Sequence, residues 1–365
     1  MQLKLMHSVR HHHLFEFCKL VFLKKSFKIN EAELAAKVLI SSDLRGIDSH
    51  GVARLSGYLR LINEGRVNPK PNIKIKKEML STCTLDGDAG LGLVVGPKAM
   101  EIAIEKAKIT GSGQVSVMNS NHFGIAAYHA LLATEQNLIG WSMTNASPLV
   151  APTFGKEAML GTNPICYAFP SKNEPIVVDM ATSAAANGKL QIAQRSDKEI
   201  PSGWAQDSHG NDSKNPHILK DNGQLLPLGS SRNLGSHKGY GLAASVDIFS
   251  GVLSGANFGP WVPPFVSFKE PLKNPPGKGI GHFFGAFSIQ GFCEEKDYFS
   301  NIDLWTKRFK QTKAINPENP VLIPGEPEHK TFQKRSIEGI PLNQKVLEDL
   351  LNIADQSNIS AKDFF

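Results

Sequence analysis

Apolar residues over positions 14–65 recur at helical rather than strand spacing. Asn30 and Glu31 open a run through Leu34, Val38, Leu39 and Leu44 that stops at Gly46, and the whole stretch reads as three helices. If helix resumes at His50, Val52, Leu55, Leu59 and Ile62 fall at roughly 200°, 140°, 180° and 120° around its axis, one buried stripe. Arg54 and Tyr58 fall at about 40° and 80°, on the same side as His50 and beside that stripe. After the proline-rich turn 68–72 the pattern changes: strand over 81–86, glycine loop over 87–92, and helix from Gly96, with Pro97 in its first turn, to Gly111. Strands follow at 114–118, 138–145, 165–169 and 176–183, with helix between the first two and again over 184–191. Residues 200–235 are rich in turns but keep apolar residues, as a covering loop does. A helix follows Ser236, then strand at 281–289, surface helix at 298–309, an extended acidic loop at 323–328 and a closing helix at 343–354. Helices and strands in alternation predict an α/β fold.

Composition narrows the class. The 365 residues are 41% hydrophobic and 20% charged, as in a globular protein, and 40 basic against 34 acidic side chains leave a net charge of +6. That charge is dispersed; Lys24-Lys25 and the lysines at 74, 76 and 77 are too short a cluster for a nucleic-acid partner. No apolar run reaches the ~18–20 residues of a membrane span, and the N-terminus lacks a signal peptide's core and cleavage site. Cys18, Cys83, Cys166 and Cys293 have no metal or redox spacing, which points to a reducing cytoplasm. His11 to His13 read as a solvated tract, and the one H-x-x-x-H pair, His7 with His11, falls in a tail expected to be disordered. No metal is expected.

The densest chemistry is the stretch 46–54, where Asp48, Ser49, His50 and Arg54 bring an acid, a hydroxyl, an imidazole and a guanidinium together. An imidazole carries protons near neutrality, and a guanidinium one turn away can hold a carboxylate. The plainer alternative has Asp48 or Ser49 capping a helix and Arg54 in solvent. His122, in the polar loop 119–124, follows a strand's carboxyl end, where ligands of α/β sheets gather; a hydrogen-bonded loop histidine is the alternative. Gly90, Gly92 and Gly96 fail the dinucleotide fingerprint because their spacing is G-x-G-x-x-x-G and the next strand ends in Asn119 rather than an acid. They read instead as a tight turn with close packing. Asp179, at a strand end, can cap a helix, and Lys238 at a glycine-flanked helix start suits a phosphate or open solvent.

Taken together, the segments 43–54, 119–124, 160–164, 179–183, 203–205, 237–239 and 324–326 resemble the malate/L-lactate dehydrogenase family of the non-Rossmann type, in family order across residues 14–330. The resemblance implies a three-layer α/β fold with an unusual mixed sheet, assembled as a homodimer, that binds NAD, or else NADP, without a glycine fingerprint. It implies a helical region 1–72 carrying the reactive residues, a core 73–330 for cofactor and substrate, and a tail 331–365 returning to the N-terminal region. It makes His50 the acid/base, with Ser49 orienting or relaying to it, and Arg54 the anchor of a substrate carboxylate. His122 would lie at the nicotinamide and substrate, and Ser147, Asp179, Met180, Ala181, Lys238, Gly325 and Glu326 would hold the dinucleotide. The implied reaction interconverts a small 2-hydroxy acid and its 2-oxo acid, malate or lactate first. Reduction of a cyclic imine such as piperideine carboxylate is the alternative, and a non-catalytic binding homologue is a third reading.

Overall fold

The computed structural model describes residues 7–265 and 271–365. It opens with strand β1 (His7–Val9), helix α1 (His11–Lys24), helix α2 (Ile29–Leu44), a 3-10 turn (Val52–Arg54) and helix α3 (Leu55–Asn63). Strands β2 (Lys74–Glu78) and β3 (Thr82–Gly90) lead through helix α4 (Gly92–Thr110) into β4 (Ser112–Ser120). Helix α5 (Ala126–Thr134), strands β5 (Leu138–Thr144), β6 (Ile165–Phe169) and β7 (Ile176–Met180), and helix α6 (Asn187–Arg195) follow. The short strands β8 (Ala205–Gln206), β9 (Asp212–Ser213) and β10 (Gln224–Leu225) form a small sheet of their own inside the covering region. The chain closes with α7 (Ser236–Asp247), β11 (Ile280–Ser288), α8 (Glu295–Lys310), α9 (Glu326–Glu338), β12 (Ile340–Leu342) and α10 (Gln344–Gln356).

The main sheet runs β2-β3-β4-β11-β5-β6-β7. Only β3 and β4 pair in parallel, joined by the α4 crossover; all its other neighbours are antiparallel. The expected mixed sheet is therefore present, and it is not the parallel sheet of a Rossmann fold. Alternation sorts its two faces: Phe284 and Ala286 of β11 pack with α4 and α5, while Phe283 packs with Met143, Ile165 and Val246 of α7. The sheet thus lies between two helical layers. A second core joins α1, α2, α3 and α10 through Phe17, Phe22, Leu39, Leu61 and Leu350, and Leu93 and Val94 of α4 tie it to the sheet. Each such fully buried side chain contributes about 1.5–3 kcal/mol.

Several boundaries differ from expectation. The N-terminal tail is not disordered at His7, whose backbone starts a strand antiparallel to β12. Helix α4 begins at Gly92, which puts Pro97 inside it. Gly92 allows this by packing: a Cβ there would lie 2.1 Å from the Asn121 carbonyl oxygen. The close-packing reading of the glycines is the one realised. Strand β3 runs on through Gly90. Helix near 184–191 starts at Asn187, because 181–186 is spent on bridges such as Ser183 with Pro227. The supposed acidic loop ends at Gly325, where α9 begins; Pro327 sits in that helix's first turn, so its lost N–H costs nothing there.

One buried cluster fixes where the loops leave the sheet. The His282 ring of β11 bonds the Thr144 hydroxyl through Nδ1 at 2.7 Å and the Ser120 hydroxyl through Nε2 at 2.8 Å. The carboxyl ends of β4 and β5 are thereby clamped to one side chain. Burial lowers His282 to about 3 and His129 to about 4, and it lowers His50 and His122 as well. These groups stay neutral in the fold while the unfolded chain takes up protons below about 6.5, so each removes stability as pH falls through that window. Buried Asp43 and Asp179 are raised and act in the opposite sense, but the four histidines outnumber them. The unfolding free energy is accordingly expected to fall by roughly 1–3 kcal/mol per pH unit between pH 6.5 and 4.5. Urea titrations at several pH values measure it, and a level profile would contradict neutral burial.

Candidate active site

The reactive loop starts from a carboxylate the sequence did not single out. Asp43, in the last turn of α2, is 2% exposed and accepts the Val52 N–H at 2.8 Å. Helix α2 then stops, Gly46 takes φ +80°, and the Ser42 hydroxyl donates to the Ile47 carbonyl at 2.9 Å. The chain comes back over Asp43 so closely that a Cβ on Gly51 would lie 1.9 Å from Oδ1. Asp43 therefore caps the 3-10 turn, the task that the plainer alternative gave to Asp48 or Ser49. Asp48 instead pairs with Arg335 of α9 at the surface. Ser49 turns inward, with Oγ 2.9 Å from His50 Nδ1.

His50 itself precedes the 3-10 turn and is not on a helix, so the helical-wheel argument for its shared face does not apply. The three residues converge all the same. Arg54 Nε donates to the Ser49 carbonyl, which ties the guanidinium to the loop that carries the imidazole. Tyr58, expected beside the buried stripe, is fully buried, and its hydroxyl lies 2.7 Å from His122 Nδ1. His122 arrives from the end of β4 and stacks on His50, with centroids 5.7 Å apart and planes at 22°. Burial, with Arg54 adding to it, lowers His50 to about 4; burial, His50 and Arg54 hold His122 well below its ordinary value. Both imidazoles are neutral near pH 7. Phe265 also stacks on His122, 4.3 Å away at 17°, a neighbour that no sequence signal marks. His50, Arg54, His122 and Phe265, with Thr144 and Ser147, line a cavity of about 60 Å³. Ser147 accepts the Phe265 N–H at 2.8 Å.

The other predicted residues lie elsewhere. Asp179 and Gly325 line a separate pocket of about 350 Å³ with Arg45, Ala127 and Glu328. Asp179 accepts the Ala127 N–H at 2.9 Å and so caps α5, not the helix that follows it in sequence. Burial raises it to about 6, against the lowering effects of that bond and of Arg45. Arg45 Nε is buried without a hydrogen-bond partner among the described residues. Met180 packs on the Met143 cluster, and Ala181 lines neither cavity. Glu326 does not face the pocket; Lys310 and Lys330 hold its carboxylate at 2.8 Å and lower it to about 2. Lys238 is exposed in the first turn of α7. Among the described residues no cluster of His, Cys, Asp or Glu can hold a metal ion, and no helix is long and apolar enough to cross a membrane.

Comparison with known proteins gives this geometry a context. Residues 9–351 match the family model described as malate/L-lactate dehydrogenase. A malate dehydrogenase of Pyrococcus abyssi is 44% identical over 342 residues, 93% of this chain and 92% of that protein. A malate/(S)-sulfolactate dehydrogenase of Methanothermus fervidus is 39% identical over 328 residues, 90% of this chain and 91% of the relative. The crystal structure of malate dehydrogenase from Entamoeba histolytica superposes with a TM-score of 0.90 at 34% identity, covering 97% of this chain and 99% of that one.

The Asp43–Gly51 contact makes a testable pair. Asp43→Ala leaves the Val52 N–H unpaired, and Gly51→Ala drives a methyl into the carboxylate; each is expected to cost about 1–3 kcal/mol. In the double variant the clash is gone, so the combined loss should be smaller than the sum. Additive losses in urea unfolding would show that the two residues do not act through one contact.

Proposed function

The chain belongs to the malate/L-lactate dehydrogenase family and is a hydroxy acid dehydrogenase, and from that premise we propose that it interconverts a small 2-hydroxy acid of the malate or lactate type and its 2-oxo acid at the His50–His122–Arg54 cluster. The observation that carries this reading is the stacking of two neutral imidazoles, 5.7 Å apart, in a cavity that Arg54 also lines. Arg54 holds the substrate carboxylate and so fixes C2. During oxidation His50 takes the hydroxyl proton as C2 loses hydride and its C–O bond becomes C=O; during reduction it returns the proton. Low basicity keeps His50 in the neutral form that the oxidative direction needs, and Ser49, against Nδ1, orients it.

The family implies a nicotinamide dinucleotide, which when bound exchanges hydride with C2. The 350 Å³ pocket fits that group chemically: the Asp179 carboxylate can accept from ribose hydroxyls, and Arg45 Nε lacks a hydrogen-bond partner among the described residues. Asp179 and Glu328 both line it beside the one guanidinium, which favours NAD over its 2′-phosphorylated form. Gly325 belongs to the same wall; Ser147 would meet the nicotinamide end, and Met180, Ala181, Lys238 and Glu326 would act through the segments that frame the dinucleotide. A second copy of the chain would cover Leu242, Ile248, Val252 and Leu253, which stand exposed along α7 and the turn after it. Buried free thiols suit a cytoplasmic location.

A panel of 2-oxo acids followed at NADH and NADPH absorbance is expected to show turnover of oxaloacetate or pyruvate with NADH. Turnover confined to a cyclic imine, or to none of the panel, would overturn the reading. Two variants assign the roles. His50→Ala should lower turnover roughly 10²–10⁴-fold while dinucleotide binding persists. Arg54→Ala should raise KM for carboxylate substrates far more than for alcohols without one; equal effects would refute the carboxylate anchor.

A further inference from the structure

His122 and His50 share a cavity, yet their hydrogen-bonding surroundings differ in kind. His122 Nδ1 faces two groups: the Gly124 backbone N–H at 3.3 Å and the Tyr58 hydroxyl at 2.7 Å. A backbone N–H can only donate, so Nδ1 is an acceptor and carries no proton. The Gly124 contact is long and gives only the direction; the Tyr58 hydroxyl, at the shorter distance, must then donate as well and supplies most of the hold on this tautomer. The ring's proton sits on Nε2, for which no described residue supplies a partner while the ring lines the cavity. His50 is different. Its Nδ1 meets only the Ser49 hydroxyl, which donates or accepts as needed, so His50 can exchange tautomers and carry protons.

We propose that Tyr58 is a positioning residue that locks His122 as the neutral Nε2–H tautomer, making His122 a fixed hydrogen-bond donor to the substrate's C2 oxygen and leaving proton transfer to His50. The inference rests on the dehydrogenase site assigned above. The ring cannot easily escape this arrangement. It has His50 and Phe265 beside it with near-parallel planes, at 22° and 17°, and turning it over would put a carbon where Tyr58 and Gly124 find Nδ1. Tyr58 is itself fully buried, stacked on Phe265 at 5.1 Å, so the hydroxyl's position is set by packing. A neutral donor already aimed at the oxygen polarises the 2-oxo group without spending the proton that His50 must deliver. Burial supports the neutral form at both positions, since it lowers His122 and raises the Tyr58 phenol.

The test reads the tautomer directly. Long-range proton–nitrogen NMR on the full-length protein labelled with 15N-histidine is expected to show His122 with a bare Nδ1 and a protonated Nε2 between pH 8 and 6. In Tyr58→Phe the His122 signals should move toward a mixture of tautomers. The same variant's kcat for 2-oxo acid reduction should fall about tenfold, with KM changed less than about twofold. A protonated Nδ1 in the unaltered protein overturns the proposal even if Tyr58→Phe fails to fold. An unchanged tautomer in a folded Tyr58→Phe overturns the role of Tyr58. Loss of 2-oxo acid turnover in the unaltered protein, with the tautomer as described, would instead sink the substrate assignment and leave the lock standing.

Discussion

The buried carboxylate of Asp43 accepts the Val52 N–H across a loop that has no room for a side chain at Gly51, and this one contact determines where the reactive groups stand. Ser49 and His50 lie immediately before the contact and Arg54 immediately after it. Their spacing in sequence therefore becomes a fixed spacing in the cavity. Helix α9 reinforces the loop from outside, since Arg335 donates to the Asp43 carbonyl and pairs with Asp48. The C-terminal part of the chain thus bears on the reactive loop without contributing a group to the cavity.

The opposite wall depends on a second polar contact placed where none is easily tolerated. His282 bonds Ser120 and Thr144, one beyond each ring nitrogen, and so joins the ends of β4 and β5 through β11. His122 follows Ser120 by two residues and Ser147 follows Thr144 by three, so both reach the cavity from points one imidazole fixes. Such a network is valuable when satisfied and costly when broken, because a buried polar atom without a partner forfeits its hydration. Both walls are thus held by buried, paired polar groups rather than by apolar packing alone.

How much of this could be read from residues alone depended on the range of the contacts. Local signals worked: Gly46 ends α2 in a left-handed turn, and β6 and β7 occupy the apolar runs that predicted them. The convergence of His50, Arg54 and Tyr58 was anticipated, but by the wrong geometry, because a buried carboxylate nine residues before Val52 replaces the first helical turn. Helix α9 escaped notice because it buries no residue fully and so carries no apolar stripe. Glu326 was expected at the cofactor, yet two lysines claim it. Phe265 meets His122 from 143 positions away and Arg45 meets Asp179 in a shared pocket; neither relation has a periodic trace.

The Phe265 ring has a consequence for ligand entry. It lies flat on His122 at 4.3 Å, with planes at 17°, and so covers part of that ring's surface. Any planar ligand group brought to His122 must exchange places with an aromatic surface already there, so the gain from new stacking is largely offset by the stacking lost.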